Sequence, residues 1–295
     1  MGQPSRPTSR DDFEIAIICA FSLEAETVEA LFDRRWDDDD DSPPFDKAEG
    51  DTNAYSIDVI GRHNVVLTCL PNTGKVAAGS AASCFRMSFP RIRLAVVVGI
   101  CGVVPFRPDG SEMVLGDVIV SNGLIQFDFG RQLPEHGGHM RHFQAAPNLV
   151  AEYPGVAQDE LFEAAYRHLR DDASCEACGC NGQLVRRSRL EQSSNSSPQP
   201  VIHFGLMASS DTVMRSGVER DEIAQKEGVI AFEIGGGVWD VFPCVVIKGA
   251  CAYADSHKTK KWQRYAAATA AACMKAFLSQ WIPLQPNRRL YRADS

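Results

Sequence analysis

The sequence predicts a single α/β domain with a central mixed, largely parallel sheet flanked by helices. Three observations predict it: short apolar runs recur along the chain, helical patterns separate several of them, and an alanine-rich amphipathic stretch closes the series. Residues 13–20 read Phe13-Glu14-Ile15-Ala16-Ile17-Ile18-Cys19-Ala20, an apolar run bounded by charge that suits a strand buried on both faces. Ser22 is placed to cap the helix that follows, with Glu24 and Glu26 in its first turn. Further strands are expected at 55–60, 64–70, 94–100, 117–121, 202–208, 229–232 and 244–250, and helices at 75–85, 159–169, 220–227 and 262–281. The domain is expected to run from 13 to 283, with 1–12 as a disordered lead-in and 284–295 as a tail. Residues 171–200, rich in Ser, Cys, Arg and Gly, read as an irregular insertion.

Charge and cysteine usage narrow the function. A net charge of -8 argues against nucleic acid or an anionic membrane as the partner. The expected partner is a small molecule, and no apolar stretch is long enough to span a bilayer. Most of the ten cysteines sit inside apolar runs as small buried hydrophobes, and no secretory apolar region precedes the first strand, so a reducing cytoplasm is the expected compartment. Cys175, Cys178 and Cys180 differ, clustering in a polar loop downstream of His168. Cys-x-x-Cys is half of a zinc signature, but no second pair follows at zinc-site spacing. The group is therefore read as free surface thiols, with no metal and no cofactor assigned.

In parallel-type sheets, ligands sit beyond the carboxyl ends of the strands. The loops leaving those ends are Leu23-Glu24-Ala25-Glu26, Pro71-Asn72-Thr73-Gly74-Lys75, Val98-Gly99-Ile100-Cys101-Gly102-Val103, Ala208-Ser209-Ser210-Asp211-Thr212-Val213-Met214 and Cys251-Ala252-Tyr253-Ala254-Asp255. Their order and spacing resemble the purine nucleoside phosphorylase and uridine phosphorylase superfamily, above all its fungal branch. The resemblance runs from about residue 10 to 281 and implies a homo-oligomer.

The resemblance also implies a chemistry. A purine leaves a ribosyl group through an oxocarbenium-like transition state, so the departing base needs a proton, supplied in the family by an Asp after the last core strand. A Glu pair in the ribose loop holds the sugar hydroxyls. Here the acid position is Ala252, and the ribose loop, Phe232-Glu233-Ile234-Gly235-Gly236-Gly237, is one residue short and lacks the second Glu. Asn72, Val103 and Ser210 stand where the family commonly has glycine. Losing a general acid costs about 10²–10⁴ in rate.

Glu233 and Asp255 are the remaining candidate catalytic groups, although Asp255 also suits a cap on the turn at Ser256-His257-Lys258. The candidate ligand pocket collects Asn72, Thr73, Val103, Ser210, Val213, Met214, Ile234, Gly235 and Ala252, and Arg131 is a candidate anion site. Exchange of acids and glycines for apolar residues favours an enzyme repurposed for a non-nucleoside, largely apolar substrate. Cyclisation, isomerisation or cycloaddition, as in terpenoid tailoring in fungal specialised metabolism, needs no strong acid. Two alternatives stand beside it: a nucleoside hydrolase or phosphorylase with altered catalytic residues, and a pseudoenzyme that binds a nucleotide-like ligand.

Overall fold

Strand β1 (Ile15–Cys19) is buried at every position, because it lies between two parallel neighbours, β4 (His63–Cys69) and β5 (Leu94–Val103). The computed structural model describes residues 4–36, 45–72, 74–126, 151–168, 175–182, 184–193, 198–210, 213–234, 238 and 241–282. Outside β4 lie β3 (Tyr55–Ile60) and then β2 (Arg34–Arg35), both antiparallel. The short, arginine-only β2 discourages further pairing at that edge.

On the other side the sheet closes into a ring. β5 pairs in parallel with β9 (Cys244–Ala252) from Ala95 through Gly102, and its end, Gly102 and Val103, also pairs antiparallel with β8 (Val229–Glu233). β8 lies beside β7 (Ile202–Ser209), β7 beside β6 (Val118–Gln126), and β6 returns to β9. Register shifts at Cys101/Gly102, Ser121/Gly123 and Leu206/Met207 bend the strands enough for closure.

Two apolar layers cover the sheet. One carries Phe13, Trp36, Phe85, Phe89 and Trp262; the other lies under helices α1 (Ser22–Glu29) and α6 (Gln263–Gln280), with Ile17, Val28, Val96, Ile247 and Met274. The small residues Ala266, Ala267, Ala270 and Ala271 let α6 pack close to the strands. Helix α2 (Lys75–Ser88) connects β4 to β5, and among the described residues no helix is long and apolar enough to cross a membrane.

One expectation needs correction, and two further segments carry contacts with the rest of the domain. The helix expected at 159–169 is absent over 159–168, because tertiary bonds outcompete the local pattern. Asp159 turns inward to accept from Leu115 N (2.9 Å) and the Tyr253 hydroxyl (2.5 Å), and Phe162 bridges to Leu184. Residues 4–12 are not free of the domain: Arg6 lies over the Phe45 ring at 4.4 Å, and a 3-10 turn forms at Arg10–Asp12. The segment 171–200 contains short helices α3 (Cys175–Cys178) and α4 (Ser188–Gln192), and two arginines pin it to the domain. Arg187 donates to the Tyr253 hydroxyl (2.6 Å) and to the Met113 carbonyl, and Arg189 grips both oxygens of Asp117 at 2.5 and 3.1 Å. Helix α5 (Gly217–Glu227) joins β7 to β8.

Candidate active site

Strand ends meet in a cleft of roughly 230 Å³. β1 and the start of α1 supply Phe21 and Glu24, β5 supplies Ile100 to Gly102, β8 supplies Phe232 and Glu233, and β9 supplies Lys248, Cys251 and Ala252.

Glu24 is 1% exposed, and three backbone N–H groups hold its carboxylate: Oε2 accepts from Ala20 N (2.7 Å) and Phe21 N (3.0 Å), and Oε1 from Ile100 N (2.7 Å), which leaves Oε1 a second lone pair. These bonds, and not a Ser22 hydroxyl, satisfy the start of α1, where no side chain of the capping residue bonds. The seat exists because residue 99 is glycine: a Cβ there meets Glu24 Oε1 at 2.1 Å. Gly99→Ala is therefore expected to displace the carboxylate and lower stability by about 1–3 kcal/mol, read from urea unfolding. Unchanged stability would mean the seat is not fixed.

Lys248 sits at the same floor, fully buried, with Nζ 3.9 Å from Glu233 Oε2. Burial alone pushes its pKa down, but Glu24 and Glu233 together hold the ammonium above the ordinary lysine value. The floor thus carries one cation between two acids. An apolar wall faces it, formed by Phe21, Val213, Met214, Phe232, Ile234 and Ala252. Cys101 and Cys251 also line the cleft, but burial pushes the Cys101 thiol well above its ordinary value and the Cys251 thiol to about 12, so neither is a ready nucleophile. Lys258 stands at the exposed mouth, its ammonium drawn below the ordinary lysine value by desolvation and by the charge of Arg215.

Of the residues expected from the sequence, the structure brings Ser210, Val213, Met214, Glu233, Ile234 and Ala252 to this cleft. Val103 is elsewhere: side chains alternate along a strand, so Gly102 faces the cleft while Val103 is fully buried in the core. Asn72 is exposed and does not line the cleft. Asp255 is turned away, its Oδ1 accepting from His257 N at 2.9 Å as a brace of the turn. Thr73, Gly235 and Arg131 lie outside the described residues. Sequence reasoning passed over Glu24, Lys248 and Lys258. Lys248 left a signal, a lone charge inside the apolar run of β9.

Known proteins carry the same architecture. The profile of the phosphorylase superfamily matches residues 14–235. A nucleotide-binding leucine-rich repeat (NLR)-like protein of Hyaloscypha variabilis is 31% identical over 94% of this chain, which spans only 30% of that protein's length. A 5'-methylthioadenosine/S-adenosylhomocysteine nucleosidase of Mycobacterium bovis is 23% identical over 73% of this chain and 80% of its own. Among solved structures, the Helicobacter pylori nucleosidase of that name superposes with a TM-score of 0.55 at 16% identity, covering 92% of this chain and 99% of its own. The futalosine hydrolase of the same organism gives 0.56 at 15% identity, with 92% and 100% covered. The profile runs from the residue before β1 to the loop after β8, three quarters of the chain and most of the cleft, and the chain belongs to the phosphorylase superfamily.

Proposed function

We propose that the cleft binds a purine nucleoside, a 5'-alkylthio nucleoside being the first to try, and cleaves its N-glycosidic bond by hydrolysis at a much reduced rate. The observation that carries this reading is the buried Glu24 carboxylate, fixed by three backbone amides beside Glu233. A carboxylate so placed takes a proton from an attacking water while a ribosyl cation develops above two acids and one lysine. Glu233 receives the sugar hydroxyls, and the apolar wall takes the base or the 5' substituent. Water adds its oxygen to the sugar carbon, the carbon–nitrogen bond breaks, and the departing base must gain a proton. Ala252 has none to give, so solvent or Lys258 supplies it, and the step is slow.

The test pairs binding with turnover. Adenosine, inosine, 5'-methylthioadenosine and S-adenosylhomocysteine are screened by thermal shift, and free base is followed with and without phosphate. At least one nucleoside is expected to raise the melting temperature. Base release should stay below the usual enzymatic rate of about 1 per second, be indifferent to phosphate, and fall at least about 100-fold further in Glu24→Gln. Fast turnover, or no stabilisation by any nucleoside, would overturn the reading.

A second reading is favoured by the apolar wall and the inert thiols: shape-directed cyclisation or isomerisation of a largely apolar molecule, such as a terpenoid. Orientation alone contributes about 7–11 kcal/mol in favourable intramolecular cases. Stabilisation by terpenoid or polyketide acids and aldehydes, with none by nucleosides, selects it.

A further inference from the structure

The insertion read from the sequence as a loop of free thiols has a different geometry. One side-chain nitrogen of His168 and the Sγ atoms of Cys175 and Cys180 all lie within 4.8 Å of one another. A third thiol is close, with Cys178 Sγ 3.7 Å from His168 Nδ1. We propose that His168, Cys175, Cys178 and Cys180 form a closed structural zinc site that fastens the insertion to the loop following β9.

The spacing fits the ion. Zinc binds thiolate at about 2.3 Å and imidazole at about 2.0–2.1 Å, so ligand atoms of a tetrahedral site stand about 3.3–3.8 Å apart. The Cys178–His168 separation already has that value, and His168, Cys175 and Cys180 need contract toward one another by at most about 1–1.5 Å; Cys178, which is outside that group of three, must swing in from the end of α3 to complete the set. The backbone is arranged for convergence. Cys175 and Cys178 occupy the two ends of α3, three residues apart and hence on one face. Gly179 then takes φ +65°, a left-handed conformation that reverses the chain, and Cys180 N donates to Cys175 O at 3.0 Å. This turn returns the third thiol beside the first.

His168 is held from the opposite side. Its backbone N–H donates to Ser256 Oγ at 2.9 Å, and its ring lies edge-on to His257, with centroids 5.5 Å apart. His257 in turn stacks on Tyr166, and the Tyr166 hydroxyl accepts from Asn181 N at 3.2 Å, one residue beyond the last cysteine. The ligands thus come from two sides of one small packed unit. Three thiolates and one imidazole are the donor set of a structural, not a catalytic, zinc, because no position is left for water or substrate. None of the ten cysteines is in a disulfide. Through the His168 backbone the site is tied to Ser256, in the turn that follows Ala252.

The full-length chain, produced with zinc in the medium and gel-filtered, is tested by elemental mass spectrometry and by alkylation. About one zinc per chain is expected. Cobalt substitution should give the intense visible bands of tetrahedral thiolate coordination. Cys175→Ser with Cys180→Ser should cut bound zinc to below about a tenth of an equivalent. Should that variant not fold, the unsubstituted protein still decides the matter: a chelator should expose Cys175, Cys178 and Cys180 together to alkylation, and zinc should protect them again. A zinc-free protein whose three thiols react equally with and without added zinc would overturn the proposal. So would a Cys175–Cys180 disulfide in freshly purified protein, or zinc retained in the double variant.

Discussion

Ala252→Asp is expected to raise base release from the best-bound purine nucleoside by about 100-fold over the unsubstituted chain, the low end of what a general acid contributes. Position 252 is half-buried on the cleft wall, and the new carboxyl faces the cavity without displacing a core side chain. Two features hold the gain down. The Lys258 charge already acts on the neighbouring Cys251 and will keep a carboxyl at 252 ionised, which makes it a reluctant donor. The ribose loop also lacks its second carboxylate. Because the protonated form is the active one, the gain should grow as pH falls from about 7 toward about 5, where more of the carboxyl carries its proton. Ala252→Asn, which hydrogen-bonds without donating an acidic proton, is the control. An equal gain with asparagine, or none with aspartate while the nucleoside still binds, would show that protonation of the leaving base is not the missing step.

How much was legible in the sequence follows from what each residue meets. The apolar runs at 13–20, 94–100 and 244–250, which the structure gives as strands Ile15–Cys19, Leu94–Val103 and Cys244–Ala252, were readable because parallel strands covered on both faces need no polar alternation. The closing helix was readable from its alanine-rich periodicity. At the cleft, Ala252 and Glu233 stood out because they occupy loops with a recognisable order. Glu24 did not: an acid in the first turn of a helix looks the same in sequence whether it faces water or backbone amides across a sheet. Val103 was misplaced because a strand end turns alternate residues to opposite faces, and nothing local fixes which one faces the cleft. The contacts of the insertion were not legible for a related reason. Its ordering comes from Arg187 reaching the Tyr253 hydroxyl and Arg189 reaching Asp117, both far away in the chain, and composition is blind to such partners.

That insertion supplies the largest stability effect. Asp117 is fully buried and accepts from Arg189, from His203 Nε2 (2.9 Å), and from the backbone N–H groups of Val114 (3.0 Å) and Val201 (2.9 Å). Asp117→Ala leaves a mostly buried guanidinium and a buried imidazole without their acceptor, so unfolding free energy should fall by about 3–5 kcal/mol. Apolar replacement of the arginine as well, Asp117→Ala with Arg189→Met, should recover a large part of that loss, since the desolvation cost of the stranded cation disappears with it. The pH dependence gives an independent check. Burial pushes the Asp117 pKa up, but the bonds from His203 and Arg189 outweigh it and hold the carboxyl below its ordinary range. A carboxyl depressed in the folded state contributes stability that is complete above its unfolded pKa of about 3.9 and is lost as pH falls through the folded value. The part of the gap that comes from the Asp117 carboxylate should therefore be complete above about pH 4 and be lost as pH falls below it. Asp159 is raised by burial and, to a lesser extent, by the charge of Asp117, so its own shift is smaller in the variant. Urea titrations across this range measure it directly, and a gap under about 1 kcal/mol at neutral pH would mean the insertion is not anchored through Asp117.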